Sequence, residues 1–178
     1  MPVILEPFSL RHIVTQFREF NSAAKKERAR LTPYFWWARA NDFSRFNFIL
    51  SGLITEKFAY IMRELPHNKK FIIRHNDEFA GIIGLDGAAQ NAPRAEVWYF
   101  VTANNERQHV ASRALKEIEF FAQNKSIDKI YAYTARYNQE SQNLLARSGY
   151  TQYYSTRYGL EHPRTLLMWG KYLSHKNY

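Results

Sequence analysis

The chain has 178 residues, 46% of them apolar and 16% aromatic, no cysteine, and a formal net charge of +9. That length fits one domain spanning 1–178, which on compaction buries roughly 70% of its unfolded surface, and the lack of thiols excludes disulfides and thiolate metal sites. No apolar run approaches the roughly 20 residues of a membrane helix, and "MPVILEPFSL" lacks the plan of a signal peptide, so a soluble, cytoplasmic protein with no membrane partner is expected.

"VILEPF" reads as a short first strand. Ser9 is placed to N-cap a helix carrying Leu10, Ile13, Val14, Phe17 and Phe20 on one side. "AAKKERAR", residues 23 to 30, is the densest basic cluster and reads as a solvated helix face. The positive balance favours anionic partners. With no arginine-rich array, nucleic acid is not the expected one. After "LTPYFWWA" a second helical region runs from about 42 to 65, with a break expected near Gly52 and an end at Pro66.

The pattern then changes to β-branched runs. "KKFIIRH" and "FAGIIGLD", separated by "NDE", predict a hairpin, and "AEVWYFVT" a third strand of this group. An amphipathic helix follows, starting near Gln108, with Ala111, Ala114, Leu115, Ile118 and Ala122 inward. "DKIYAYTA" is a strand. "NQESQNLLARSGY" is a short helix with Asn138 as N-cap and Gly149 as left-handed C-cap. Strands near "TQYYSTRYG" and "RTLLMWGKYL" close the chain. The order β-α-α-β-β-β-α-β-α-β-β predicts an α+β fold with a mixed central sheet flanked by helices.

"TANNERQHVASRALKEIEFFAQN" places a polar loop between a strand and a helix. A helix N-terminus offers unpaired N–H groups and a partial positive charge to an anion such as phosphate. Such loops usually use glycine, yet there is none between Gly87 and Gly149. If His109 must take positive φ the strain is about 1–3 kcal/mol; inside the first helical turn it has an ordinary φ. Arg107 and His109 can donate to phosphate oxygens. The expectation is that helix-end amides hold the phosphate without glycine flexibility. The histidines show no metal-ligand spacing, and no metal is expected.

The element order and several strings resemble the GCN5-related N-acetyltransferases (GNAT), in the branch similar to the ribosomal-protein acetyltransferases RimJ and RimL. That branch carries an acidic–aliphatic–Gly–Tyr–Trp–aliphatic strand, an Arg/Gln-x-x-Gly-x-Gly/Ala loop, and Asn-x-x-Ser before an apolar helix ending in Gly-Phe. Here the counterparts are "EVWYFV", "ERQHVA" and "NQESQNLLARSGY"; "RLTPYFWWA" and "FAGIIGLD" are also similar to branch segments, and the likeness spans roughly residues 5 to 173. Trp98 and His109 stand at glycine positions and Glu106 at the Arg/Gln position, while Ala111 matches.

The resemblance implies direct acetyl transfer from acetyl-CoA, as cosubstrate, to a primary amine: a protein N-terminus or a small amine such as an amino sugar. Main-chain N–H groups around Phe100 and Val101 would polarise the thioester carbonyl, and Arg107, Gln108, His109, Val110 and Ala111 would take the pyrophosphate. Glu96 is the candidate base, Ser141 the donor to the leaving thiolate, and Asn138 a further cofactor contact. Tyr34, Trp36 and Trp37 would line the acceptor entrance. The assembly is left open, a homodimer included. The alternative is a catalytically degenerate GNAT-like module whose basic surface binds an acidic protein or nucleic acid.

Overall fold

The β-branched runs pair as the expected hairpin. In the computed structural model, which describes residues 2–62, 67–88, 94–158 and 164–173, β2 (His67–His75) and β3 (Glu78–Ala88) form an antiparallel hairpin. Asn76 and Asp77 turn it with φ of 55° and 65°. Positive φ at both central residues is what a two-residue type I′ turn requires, and Asn and Asp tolerate it. β1 (Val3–Pro7) pairs outside β2, and β4 (Arg94–Val101) beside β3. With β5 (Lys129–Ala135), β6 (Thr151–Tyr158) and β7 (Arg164–Tyr172), they make a seven-stranded sheet of order β1-β2-β3-β4-β5-β7-β6.

One junction in this sheet is parallel. β4 and β5 pair through Arg94 with Lys129, Ala95 with Ile130 and Glu96 with Tyr131, and there the pairing stops. β5 continues along β7 as far as Ala135, and β4 along β3 as far as Val101. The two central strands therefore part beyond Glu96 and leave a gap within the sheet.

Helices cover both faces. α1 (Ile13–Lys26), α2 (Arg28–Leu31), α3 (Trp36–Arg39) and α4 (Asp42–Met62) contribute to one core with Phe20, Leu31, Trp37, Ile49, Ile72, Ile82 and Phe100. α5 (Val110–Gln123) packs on the other face, its Ala114, Leu115, Ile118 and Ala122 buried as the periodicity predicts. α6 (Gln139–Arg147) begins at Asn138, whose Oδ1 accepts the Ser141 N–H at 3.2 Å, and ends at Gly149 with φ 83°. Among the described residues, no helix is long and apolar enough to cross a membrane.

Three expectations change. Ser9 does not cap α1: the helix starts at Ile13, after a turn in which the His12 N–H reaches Ser9 O at 3.1 Å and Ser9 Oγ at 3.3 Å. The inward stripe shifts to Gln16, Phe20 and Ala24, leaving Leu10 and Val14 exposed. Gln16 is buried because its amide serves the chain entering the helix: it accepts from Ser9 N–H at 2.9 Å and donates to Pro7 O at 3.1 Å and to Glu6 Oε1. α4 runs through Gly52 without a break; Leu65 and Pro66 lie outside the described residues. α2 and α3 are additional single turns. Arg45, 2% exposed, holds α3 in place by donating to Trp37 O at 3.0 Å and Ala38 O at 3.1 Å.

Candidate active site

The gap in the sheet exposes main chain. The Thr102 N–H bonds to Ala80 O at 2.8 Å, and in an antiparallel ladder successive residues alternate between facing the partner and facing away. Phe100, Trp98 and Glu96 therefore direct their main-chain groups to β3, while Val101, Tyr99 and Val97 direct theirs into the gap. Of the two residues nominated as carbonyl-polarising donors, Val101 has its N–H there and Phe100 does not; Tyr99 takes that place. A continuous cleft of ≈ 2270 Å³, open to solvent, passes through the gap. It exceeds the roughly 300–1,000 Å³ typical of a drug-sized ligand.

At one end of the cleft lies the loop after β4. A single 3-10 turn at Ala103–Asn105 is held from below by His75, whose Nδ1 lies 2.9 Å from Asn105 Oδ1. The chain then takes left-handed conformations at Arg107 and His109, both with φ 59°, and α5 starts at Val110, two residues later than expected. Among the described residues, the main-chain N–H groups of residues 107 to 112 donate to no protein acceptor. Free amides next to left-handed residues at a helix start form an anion-binding concavity. Arg107, His109, Val110 and Ala111 line the cleft; the Gln108 side chain folds back instead, its Nε2 2.8 Å from Asn104 O.

The loop thus takes a glycine-type backbone without glycine, and of the two conformations open to His109 it is the positive-φ one. Left-handed φ disfavours a Cβ by roughly 1–2 kcal/mol, though histidine tolerates it better than most residues. Glycine gives part of this back through its unfolded-state freedom. His109→Gly is accordingly expected to stabilise the fold by about 0.5–1 kcal/mol, raising Tm by about 1–4 °C. Thermal denaturation checks this, and an unchanged or lower Tm would contradict it.

Midway along the cleft, Glu96 stands at the last β4–β5 pair, opposite Asp86 on β3. Burial, and then the Asp86 carboxylate, push its pKa up to about 7. Burial likewise raises Asp86 against the opposing pull of Lys70 and a hydrogen bond from Trp98 Nε1 at 2.8 Å. Trp98, standing where the branch has glycine, fits because glycine faces it on β3. A Cβ on Gly84 would lie 2.4 Å from the indole.

On the opposite face of β4, the Tyr99 hydroxyl lies 2.9 Å from Ser141 Oγ, and burial pushes Tyr99 up to about 12. Ser141, Asn138, Tyr99 and Glu96 all line the cleft, so a carboxyl and a hydroxyl pair flank it from the two sides of the sheet. At the mouth, Tyr34 packs against Tyr137 with ring centroids 5.8 Å apart. Trp37 is 2% exposed, with its ring 5.0 Å from Phe20 and 5.2 Å from Phe100, so it builds the wall from within the core. The side chain of Trp36, on α3, lies outside the described residues. Sequence reasoning missed Tyr99 and Asp86. The strand motif offered a signal for Tyr99; Asp86 has one only once β3 is registered against β4.

A sheet opened at a parallel junction, free amides on the next helix, and a near-neutral carboxyl beside the gap define a transferase of the acyl-CoA type. The family profile for the acetyltransferase (GNAT) family matches residues 34–150. The chain belongs to this family, whose acyl donor is acetyl-CoA. Among solved structures it is similar to RimL, the ribosomal L7/L12 alpha-N-protein acetyltransferase in complex with coenzyme A, at TM-score 0.81, 14% identity, and coverage of 98% of this chain and 96% of that one. The microcin C7 self-immunity acetyltransferase MccE with acetyl-CoA and AMP gives TM-score 0.79, 15% identity and coverage of 96% and 92%. A Salmonella typhimurium acetyltransferase that modifies the N-terminal serine of ribosomal protein L7/L12 gives 0.77, 14%, and 97% and 95%. At these identities the likeness is one of fold. No curated protein matches the sequence.

Proposed function

We propose that this protein transfers an acetyl group from acetyl-CoA to a primary amine: a polypeptide N-terminus or a small amine such as an amino sugar. The observation that carries this reading is Glu96, a carboxyl at about 7 placed where β4 and β5 part. The free amides of residues 107 to 112 bind the diphosphate, and the N–H groups of Tyr99 and Val101 receive the pantetheine arm and polarise the thioester carbonyl. Glu96 takes the proton released as the neutral amine attacks, and Ser141 donates to the sulfur as the C–S bond breaks. The amine gives up one proton and the departing thiolate takes one up, so the reaction is proton-neutral.

A base at this pKa suits some acceptors better than others. Near pH 7.5 roughly a third of an α-amine with pKa ~7.7–8 is already neutral, against about one lysine in a thousand at pKa ~10.4. An α-amine is therefore the favoured acceptor over a lysine side chain. The likeness to RimL, described as an alpha-N-protein acetyltransferase, supports the N-terminal arm of this reading. A purely binding role for the basic surface is not favoured by membership of an enzyme family.

Thermal shift with acetyl-CoA, followed by acetylation of N-terminal peptides, amino sugars and Nα-blocked lysine peptides, tests the reading. Ligand at 100 times its dissociation constant adds about 2.7 kcal/mol of stability. No shift at millimolar acetyl-CoA, or acetylation confined to lysine, would count against it.

A further inference from the structure

Glu106 places a carboxylate in the loop that would hold a diphosphate, where the branch carries Arg or Gln. Left alone, that charge repels the ligand. It is not left alone: Arg30 on α2 pairs with Glu106 through Nη1. The same guanidinium donates from Nη2 to Val101 O at 2.7 Å and from Nε to Glu27 Oε2 at 2.8 Å. Glu27, its side chain 9% exposed, accepts in turn from the Ala103 N–H at 2.9 Å. Arg30, Val101, Glu106 and Arg107 line one end of the cleft. The acid in the loop thus shares with Glu27 a single cation, which arrives from a helix 76 positions earlier in the chain.

We propose that Arg30 is a cofactor-positioning residue: it neutralises Glu106 so that the glycine-free loop accepts the diphosphate of the acyl donor. The inference rests on the acetyl-CoA reading above. An ion pair serving charge balance differs in sign from one that merely fastens α2 to the loop. If the pair only fastens, removing either partner weakens binding, Arg30→Ala the more because it also releases Glu27 and Val101 O. If Arg30 works by charge, the two substitutions act in opposite directions. Arg30→Ala leaves the Glu106 carboxylate bare toward the ligand; Glu106→Gln removes that repulsion and releases Nη1, while the other nitrogens stay on Glu27 and Val101 O.

Isothermal titration with coenzyme A, at low and at high salt, separates these cases. Arg30→Ala is expected to weaken binding about tenfold at low salt, and less at high salt where the repulsion is screened. Glu106→Gln should bind as tightly as wild type or tighter, and Arg30→Ala/Glu106→Gln should bind about threefold or more tighter than Arg30→Ala, the contacts to Glu27 and Val101 O staying lost. If Arg30→Ala does not fold, Glu106→Gln alone decides: affinity at or above wild type supports the inference, and a loss overturns it. Arg30→Ala binding like wild type, or a double variant no better than Arg30→Ala, also overturns it. Wild-type protein that takes up no coenzyme A would overturn the acetyl-transfer reading itself, and this inference with it.

Discussion

Replacing Glu96 with glutamine is expected to lower kcat/KM by about 10²–10³-fold and to remove one of two acid limbs from its pH profile. On the proposed mechanism two groups must lose protons in the wild type: Glu96, held up at about 7 by burial and by Asp86, and the acceptor amine, at ~7.7–8 for an α-amine. Well below pH 7 the rate should therefore fall about a hundredfold per pH unit. In Glu96→Gln it should fall about tenfold, because only the substrate still titrates. A variant retaining both limbs, or losing less than about threefold in rate, would remove Glu96 from the chemistry.

The same substitution has a stability signature independent of turnover. Glu96 has a folded pKa of about 7 against an ordinary 4.5. Between those values the folded state keeps a proton that the unfolded chain has released. Stability from this group is therefore gained as pH falls from 7 toward 4.5 and lost as pH rises through 7. Above pH 7 the wild type carries a half-buried charge that glutamine lacks. Glu96→Gln should raise Tm more at pH 8.5 than at pH 5, as expected where function holds a strained group in place.

The sheet was legible because its signals are local. The short β-branched runs around Ile72–Ile73 and Ile82–Ile83 encode two strands, and Asn76–Asp77 encodes the turn joining them. Asn138 and Gly149 delimit α6 by short-range chemistry, so both ends were found. What stayed hidden depends on distant partners. Ser9 has the chemistry of an N-cap, but Gln16 reaches back to Glu6 and Pro7 and moves the helix start. α2 and α3 are too short to carry a period, and α3 is held by a buried arginine beyond its own end. Trp98 looked like a misfit at a glycine position because the compensating Gly84 stands across the sheet. Arg30 belonged to a basic run that reads as solvated surface; besides Glu27, it bonds the end of β4 and the loop after it, over 70 residues away. Candidate groups on one strand or helix were therefore visible, and the pairs between elements were not.

The pairing of Tyr99 with Ser141 leads to the second large effect. A hydroxyl can donate to a departing thiolate only if its hydrogen points at sulfur, and a lone serine hydroxyl rotates freely. The Tyr99 hydroxyl lies 2.9 Å from Ser141 Oγ, where either oxygen can donate; on the proposed mechanism Tyr99 donates, removing that freedom and leaving the serine hydrogen for the sulfur. Burial that pushes Tyr99 up to about 12 keeps it protonated and available as donor throughout the neutral range. Ser141→Ala is expected to lower kcat about 10²-fold, near the lower end for loss of a preorganised donor, with little change in KM for acetyl-CoA. Tyr99→Phe should lower kcat about tenfold while the ring keeps its packing. Because tyrosine acts through serine, Tyr99→Phe/Ser141→Ala should be no slower than Ser141→Ala alone. Losses that multiply would show that Tyr99 acts on its own, and a Tyr99→Phe effect on KM without one on kcat would reduce the contact to packing.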